Sequence, residues 1–227
     1  MTRKLKAMGA ALVAVLAISA LVASAAQAQF TVEGGGSATV TMEASSTNQT
    51  LKAAFGSIKC KKLHGTGSFT SGANELTIEN VEYTECSALA GLDPVTVDFN
   101  THCHYIFTSN TTSNPKKEEV HLSCSEGSIT ITFFPSGTPT PHEEHASPIC
   151  VFHIFAPETA TQTFPVTYDN VTLANGKMGV EVTFSEVALN TTHEGSLCGS
   201  GEETMHYTGT SRVSGTSGGS PVGITVT

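Results

Sequence analysis

Three histidines near the middle of the chain have the type and spacing that could bind a metal ion. His102 and His104 lie two residues apart and share one face of an extended strand, and His121 lies diagonally across from His104 in a hairpin. Imidazole is a common ligand of zinc and copper. No carboxylate joins them at a ligand spacing, and a hairpin whose other face is apolar places all three in solvent. The sequence predicts no cofactor, with a metal site at these histidines as the alternative.

A second set of residues has the chain order of a serine hydrolase triad. His102, Asp169 and Ser217 occur in the order His, Asp, Ser, and Ser217 lies in a Gly-Thr-Ser-Gly-Gly stretch. Only ten residues follow Ser217, which are too few for the wall of a specificity pocket. No helix is predicted after this serine, so the nucleophile elbow of α/β-hydrolases is not matched either. The sequence predicts no catalytic residue and favours a protein that is not an enzyme.

The cysteine count indicates a disulfide framework. Six cysteines follow residue 28, and an even number in an exported chain predicts three bridges. The predicted pairs are Cys60–Cys86, Cys103–Cys124 and Cys150–Cys198. The first closes a local loop, the second follows from strand register, and the third contains the two cysteines that remain. Pairing of Cys124 with Cys150 is the alternative for the second bridge, because its loop has a similar length.

The central segment 102–124 predicts a β-hairpin. Alternating polar and apolar residues flank a polar, turn-rich middle that contains Asn114 and Pro115. Folding about that middle aligns the apolar residues of the two strands on one face. The expected pairs are Cys103 with Cys124, Tyr105 with Leu122, and Phe107 with Val120.

The rest of the chain predicts about a dozen short strands and no helix, which is typical of sandwich-like antiparallel sheets. In the strand at 75–83 the inward residues change from Leu76 and Ile78 to Val81 and Tyr83, which predicts a β-bulge at Glu79-Asn80. Four prolines in segment 135–148 predict a surface loop where the mature domain could divide into two lobes.

The N-terminus has the features of an export signal. Basic residues precede an apolar stretch, and Ala26-Gln27-Ala28 matches a small-x-small cleavage motif. Residues 1–28 are therefore predicted to be a signal peptide, cut before Gln29, with 29–227 as an all-β mature domain. An uncleaved membrane anchor is the alternative, since about 20 apolar residues can span a bilayer.

The charge of the mature chain excludes several classes of partner. Removal of Arg3, Lys4 and Lys6 leaves eight basic residues against twenty acidic ones, a net charge of −12. An acidic surface is repelled by nucleic acid and by anionic lipid. No second apolar run follows the signal, so the sequence predicts no membrane insertion after cleavage.

The mature chain contains a series of short patterns that combine cysteine, glycine and alternating apolar residues: Cys60…Gly65-Thr66-Gly67, Leu76-Thr77-Ile78…Tyr83-x-x-Cys86, Cys103-x-Tyr105-x-Phe107, Val120-x-Leu122-x-Cys124, Leu197-Cys198-Gly199 and Tyr207-Thr208-Gly209-Thr210…Pro221-Val222-Gly223. In these patterns the chain resembles a group of exported, Thr-rich, all-β proteins of actinobacteria that has no assigned activity. The resemblance covers nearly the whole mature chain and implies export, disulfides and β architecture, but no catalytic residue.

Together these patterns favour a secreted or cell-surface protein with a structural, adhesive or binding role toward an extracellular partner. A secreted metal-binding protein or hydrolase that uses the face of His102, His104 and His121 is the second hypothesis.

Overall fold

The computed structural model describes residues 29–45, 49–54, 56–88, 94–110, 117–135, 147–154 and 162–227. This part of the chain is all-β, its paired strands are antiparallel, and it contains no helix, as the sequence predicts. Its strands are β1 Phe30–Val32, β2 Ser37–Ala44, β3 Gln49–Ala53, β4 Gly56–Thr70, β5 Glu75–Ala88, β6 Val95–Phe99, β7 Cys103–Asn110, β8 Lys117–Cys124, β9 Ile129–Phe133, β10 Cys150–Ile154, β11 Gln162–Thr172, β12 Met178–Gly195, β13 Gly199–Ser217, β14 Ser220–Val222 and β15 Ile224–Val226.

The main sheet has thirteen strands and closes on itself twice. A first ring of eight strands runs β4-β5-β7-β8-β11-β12-β13-β2 and returns to β4. A second ring of eight runs β4-β5-β6-β9-β10-β12-β13-β3 and also returns to β4. The long hairpins β4–β5 and β12–β13 belong to both rings. The two rings therefore do not correspond to two halves of the chain, because four strands run through both.

Alternation of side chains along the strands fills the two rings with apolar residues. In β13 the inward positions from 205 to 215 include Met205, Tyr207 and Val213, and the residues between them are more exposed. Every second residue of a strand faces the same side, so this one strand contributes to the core of both rings.

Two long strands change their inward phase at residues with a left-handed backbone. Asn80 in β5 has φ 51° and lies at a register shift opposite His64 and Thr66. Glu186 in β12 has φ 50° and lies at the register shift between Phe184 and Val187. The predicted bulge at Glu79-Asn80 is thus confirmed, and a second one occurs in β12. Each bulge turns the following apolar residues back toward the core.

The central hairpin has the predicted register. Cys103 pairs with Cys124, Tyr105 with Leu122, and Phe107 with Val120. The three disulfides have the predicted connectivity, Cys60–Cys86, Cys103–Cys124 and Cys150–Cys198. Disulfides of this number are typical of oxidising, extracellular-type compartments.

A small sheet of β1 and β15 closes one end of the first ring. Phe30, 2% exposed, packs its ring against Phe69 of β4 and Tyr168 of β11. The side chain of Asn170 in β11 holds β15 in place, because it accepts from the backbone N–H of Val226 and donates to the carbonyl of the same residue. The first and last strands of the described chain are thereby part of one core.

Three predicted features lie outside the described residues, namely the signal peptide 1–28, the hairpin turn with Asn114 and Pro115, and most of the loop, 136–146. The strands on either side of that loop, β9 and β10, pair with each other from Cys150 with Phe133 to Ile154 with Ile129. Among the residues described, none lies in a helix that is long and apolar enough to cross a bilayer.

The bulge at Asn80 can be tested by comparing two substitutions. Asn80→Val is expected to destabilise the protein by about 1–2 kcal/mol, because a β-branched residue is strained in the left-handed region. Asn80→Gly is the matched control: it also removes the hydrogen bond from Asn80 Nδ2 to Thr66 Oγ1 but tolerates the positive φ. Urea unfolding measures both, and equal losses of stability would show that the backbone conformation is not the cause.

Candidate functional site

The three candidate metal-binding histidines are not brought together. His102 lies exposed in the turn before β7 and donates its backbone N–H to the side chain of Asn100. His104 and His121 lie diagonally on the hairpin, as predicted. The ring nitrogens of His121 lie 2.8 Å from Thr163 Oγ1 and 3.5 Å from Thr108 Oγ1. In the parts of the chain that the structure describes, no three His, Cys, Asp or Glu side chains form a group that could hold a metal ion.

The triad residues are separated as well. His102 precedes β7, and Ser217 is the last residue of β13. In the first ring of eight strands, β13 is the fourth strand from β7 in either direction. They therefore lie on opposite walls. Ser217 is in the tight turn that joins β13 to β14 and pairs with Ser220, while Asp169 pairs with Glu181 across β11 and β12. This arrangement cannot transfer a proton from Ser217 to His102.

A polar network lies instead in the core where the two rings meet. The hydroxyl of Tyr83 lies 3.0 Å from that of Tyr105 and 3.3 Å from that of Tyr207. Tyr207 donates to Oε1 of Gln49, and Nε2 of Gln49 donates to the carbonyl of Thr210 at 2.9 Å. These side chains come from β3, β5, β7 and β13, so the network joins both rings.

The amide oxygen of Gln49, where the network ends, decides which group donates in each hydrogen bond. The amide oxygen of Gln49 can only accept, so Tyr207 uses its proton there. The hydroxyl of Tyr207 must then accept a hydrogen bond from the hydroxyl of Tyr83. Because Tyr83 donates its only hydroxyl proton to Tyr207, it must accept from Tyr105. The protons therefore point in one sequence, from Tyr105 toward Gln49.

Burial strongly disfavours ionisation of these tyrosines. Removal from solvent raises the pKa of Tyr83, Tyr105 and Tyr207 well above the usual value. Burial likewise raises the pKa of Tyr168, and the carboxylate of Glu118 adds to this effect. The chain has four tyrosines, so all of them are protonated in the folded protein at neutral pH.

The network borders a small cavity of about 50 Å³. Its walls are mostly apolar and include Phe99, Ile131 and Phe184 beside the tyrosines. A cavity of this size is large enough for water but far below the volume of a typical small-molecule site. The interior of the two rings is thus a packed core.

A much larger groove of about 690 Å³ lies at the surface beside β5 and β6. It is formed by residues 80–86 of β5 and by 94–99 and Thr101 around β6. These strands pair only at Tyr83 with Val97, so they separate on either side of that point. Tyr83, Val97 and Phe99 line both the groove and the cavity.

The surface of this groove is acidic and conformationally constrained. Glu82, Glu85 and Asp98 are exposed along it, and Glu85 is paired with Lys62. The hydrogen bond and charge of Lys62 hold the pKa of Glu85 below its usual value. Glu85 and Asn80 have left-handed backbones, with φ 53° and 51°, and both line the groove.

Sequence patterns indicated part of this region. Tyr83 and Tyr105 were expected to face the core, and they do. The buried position of Gln49, only 2% exposed, was not expected. Its signal is weak: Gln49 shares a strand face with Leu51, which is an apolar position. The groove has no local sequence signal, because it is created by the changing partners of β5.

No known protein supplies a function by similarity. No family model, no curated protein and no solved structure matches this chain. The groove and the network are therefore interpreted from their own chemistry.

The tyrosine pKa values predict a loss of stability in alkali. Unfolded tyrosines ionise near pH 10, whereas the folded ones hold their protons, so above about pH 10 each tyrosine reduces the free energy of unfolding by about 1.4 kcal/mol per pH unit. We expect full stability below that pH and a steep decrease above it. In an alkaline titration, tyrosinate absorbance should appear together with the loss of β-sheet circular dichroism. Ionisation of any tyrosine well before unfolding would contradict the burial of the four tyrosines.

The direction of the network predicts unequal effects of two matched substitutions. Tyr207→Phe leaves the buried oxygen of Gln49 without a donor and should cost about 1–3 kcal/mol. Tyr105→Phe removes only the first donor, so the bonds from Tyr83 to Gln49 persist and the cost should be smaller. Urea unfolding of both variants measures this order. An equal or larger loss for Tyr105→Phe would contradict the assigned direction.

Proposed function

We propose that this protein is exported and acts outside the cytoplasm. The predicted signal peptide 1–28 and the three disulfides support this proposal. The resemblance to exported, Thr-rich proteins of actinobacteria supports it as well. We assign the protein to a secreted or cell-surface location.

We further propose that the protein is a non-catalytic binding module and that its partner occupies the groove between β5 and β6. One observation carries this proposal: the groove measures about 690 Å³, whereas the internal cavity is about 50 Å³. A ligand of ordinary size therefore fits the groove and not the internal cavity. The disulfide Cys60–Cys86 stabilises one wall, because Cys86 lines the groove.

The chemistry of the groove favours an extended polypeptide segment with basic side chains. Glu82 and Asp98 provide negative charge along its length, and Tyr83, Val97 and Phe99 provide an apolar floor. On either side of the single pair of Tyr83 and Val97, the edges of β5 and β6 face the groove. Strand edges of this kind accept extended peptides, with side-chain contacts adding specificity.

A peptide array in which net charge varies at constant length tests this proposal. Binding of the folded protein should increase with the number of Lys and Arg residues and should weaken as salt is raised. The variant Glu82→Lys/Asp98→Lys should reduce binding to the basic peptides by about tenfold or more.

The control is Asp169→Lys/Glu194→Lys, which makes the same change of charge at two exposed positions outside the groove. This control should retain most of the binding. If both double variants lose binding equally, the attraction is a property of the whole acidic surface and the groove is not the site. If no basic peptide binds above background, the proposed partner class is wrong.

A further inference from the structure

We propose that the mature N-terminus is a modification site, at which Gln29 cyclises to pyroglutamate. The inference rests on the proposed export, because signal cleavage before Gln29 would release a free α-amine on a glutamine. An N-terminal glutamine carries its own electrophile, the side-chain carboxamide, at the distance that closes a five-membered ring. Such intramolecular reactions are strongly favoured by proximity.

Gln29 lies just before the first strand, so its cyclisation is compatible with the folded structure. The carbonyl of Gln29 accepts from the backbone N–H of Thr227 at 3.2 Å, and β1 begins at the next residue. The N–H of Phe30 donates to the carbonyl of Ala73 at 2.8 Å. The chain is thus fixed immediately after Gln29, while Gln29 itself is half-buried. Closure of the lactam requires no movement of β1.

The reaction is balanced without any co-reactant. The α-amine nitrogen of Gln29 attacks Cδ of its own side chain, and the new N–Cδ bond replaces the Cδ–Nε2 bond. Nε2 leaves as ammonia, taking one proton that was originally on the amine. Nothing is oxidised or reduced, and the product is a neutral lactam.

Removal of the terminal charge fits the surroundings of this residue. Phe30 is 2% exposed and packs into the end of the first ring against Phe69 and Tyr168. An uncyclised terminus would place an ammonium group one residue from this apolar contact, where partial desolvation disfavours it. A lactam has no such charge.

Intact mass and N-terminal sequencing of the secreted protein test the proposal. The full precursor is produced in a bacterium that exports it, purified from the medium, incubated at neutral pH, then reduced and denatured. We expect a chain that starts at Gln29, is lighter by one ammonia and resists sequencing. Pyroglutamyl aminopeptidase should then remove one residue and expose Phe30 as the first residue.

The variant Gln29→Ser is the matched control, because it keeps a small or polar residue after the cut but has no carboxamide. It should show the same cleavage, no loss of ammonia and serine in the first sequencing cycle. A wild-type chain that starts at Gln29 and keeps its amine after incubation would overturn this inference while leaving export intact. A chain that retains Met1 would overturn the proposed cleavage itself, and one that starts at another residue would overturn this inference.

Discussion

The hydrogen-bond chain from Tyr105 through Tyr83 and Tyr207 to Gln49 is the interaction that fixes the alignment of the two rings with each other. Tyr105 comes from β7, which belongs only to the first ring, and Gln49 comes from β3, which belongs only to the second. A hydroxyl or amide left unpaired in an apolar core costs about 1–3 kcal/mol. The network is therefore stable only when β3 and β7, which do not pair with each other, are correctly aligned. Gly209 is required beside it, because a Cβ there would overlap the side-chain amide of Gln49.

A strand that belongs to both rings must present apolar residues to both cores, and the bulges make this possible. In the hairpin β12–β13, β13 keeps strict alternation through both rings, whereas β12 changes phase at Glu186. Because the extra residue lies on just one of the two strands, it increases the local twist and bends the hairpin. Asn80 does the same in β5, opposite Gly65 of β4. At Gly65 a Cβ would meet the side chain of Ile78, so the bend also needs the close approach that glycine allows.

Features determined by neighbouring residues could be predicted from the sequence, and features determined by distant ones could not. The register of Cys103 with Cys124 follows from alternation within one hairpin, and the bulge at Asn80 from a break in alternation within one strand. Closure of the second ring depends on the pairing of β10 with β12 and of β3 with β13, which are far apart in the chain. No local pattern specifies such pairs. The network was missed for the same reason: Gln49 and Tyr207 are separated by 158 residues.

The groove at β5 is a consequence of this architecture. Because β5 serves both rings, its partner on one side changes from β7 to β6, and a gap opens where neither strand pairs fully. A second gap of about 510 Å³ lies beside Gln162 of β11 and the paired strands β12 and β13. That gap is lined by polar side chains such as Asn190, Thr192 and Glu202, whereas the groove at β5 has the apolar floor of Tyr83, Val97 and Phe99. Apolar contact contributes most of the affinity in protein recognition, and charge contributes mainly specificity and rate. Of these two gaps, the one at β5 combines both, and this combination is the physical reason to place the partner there.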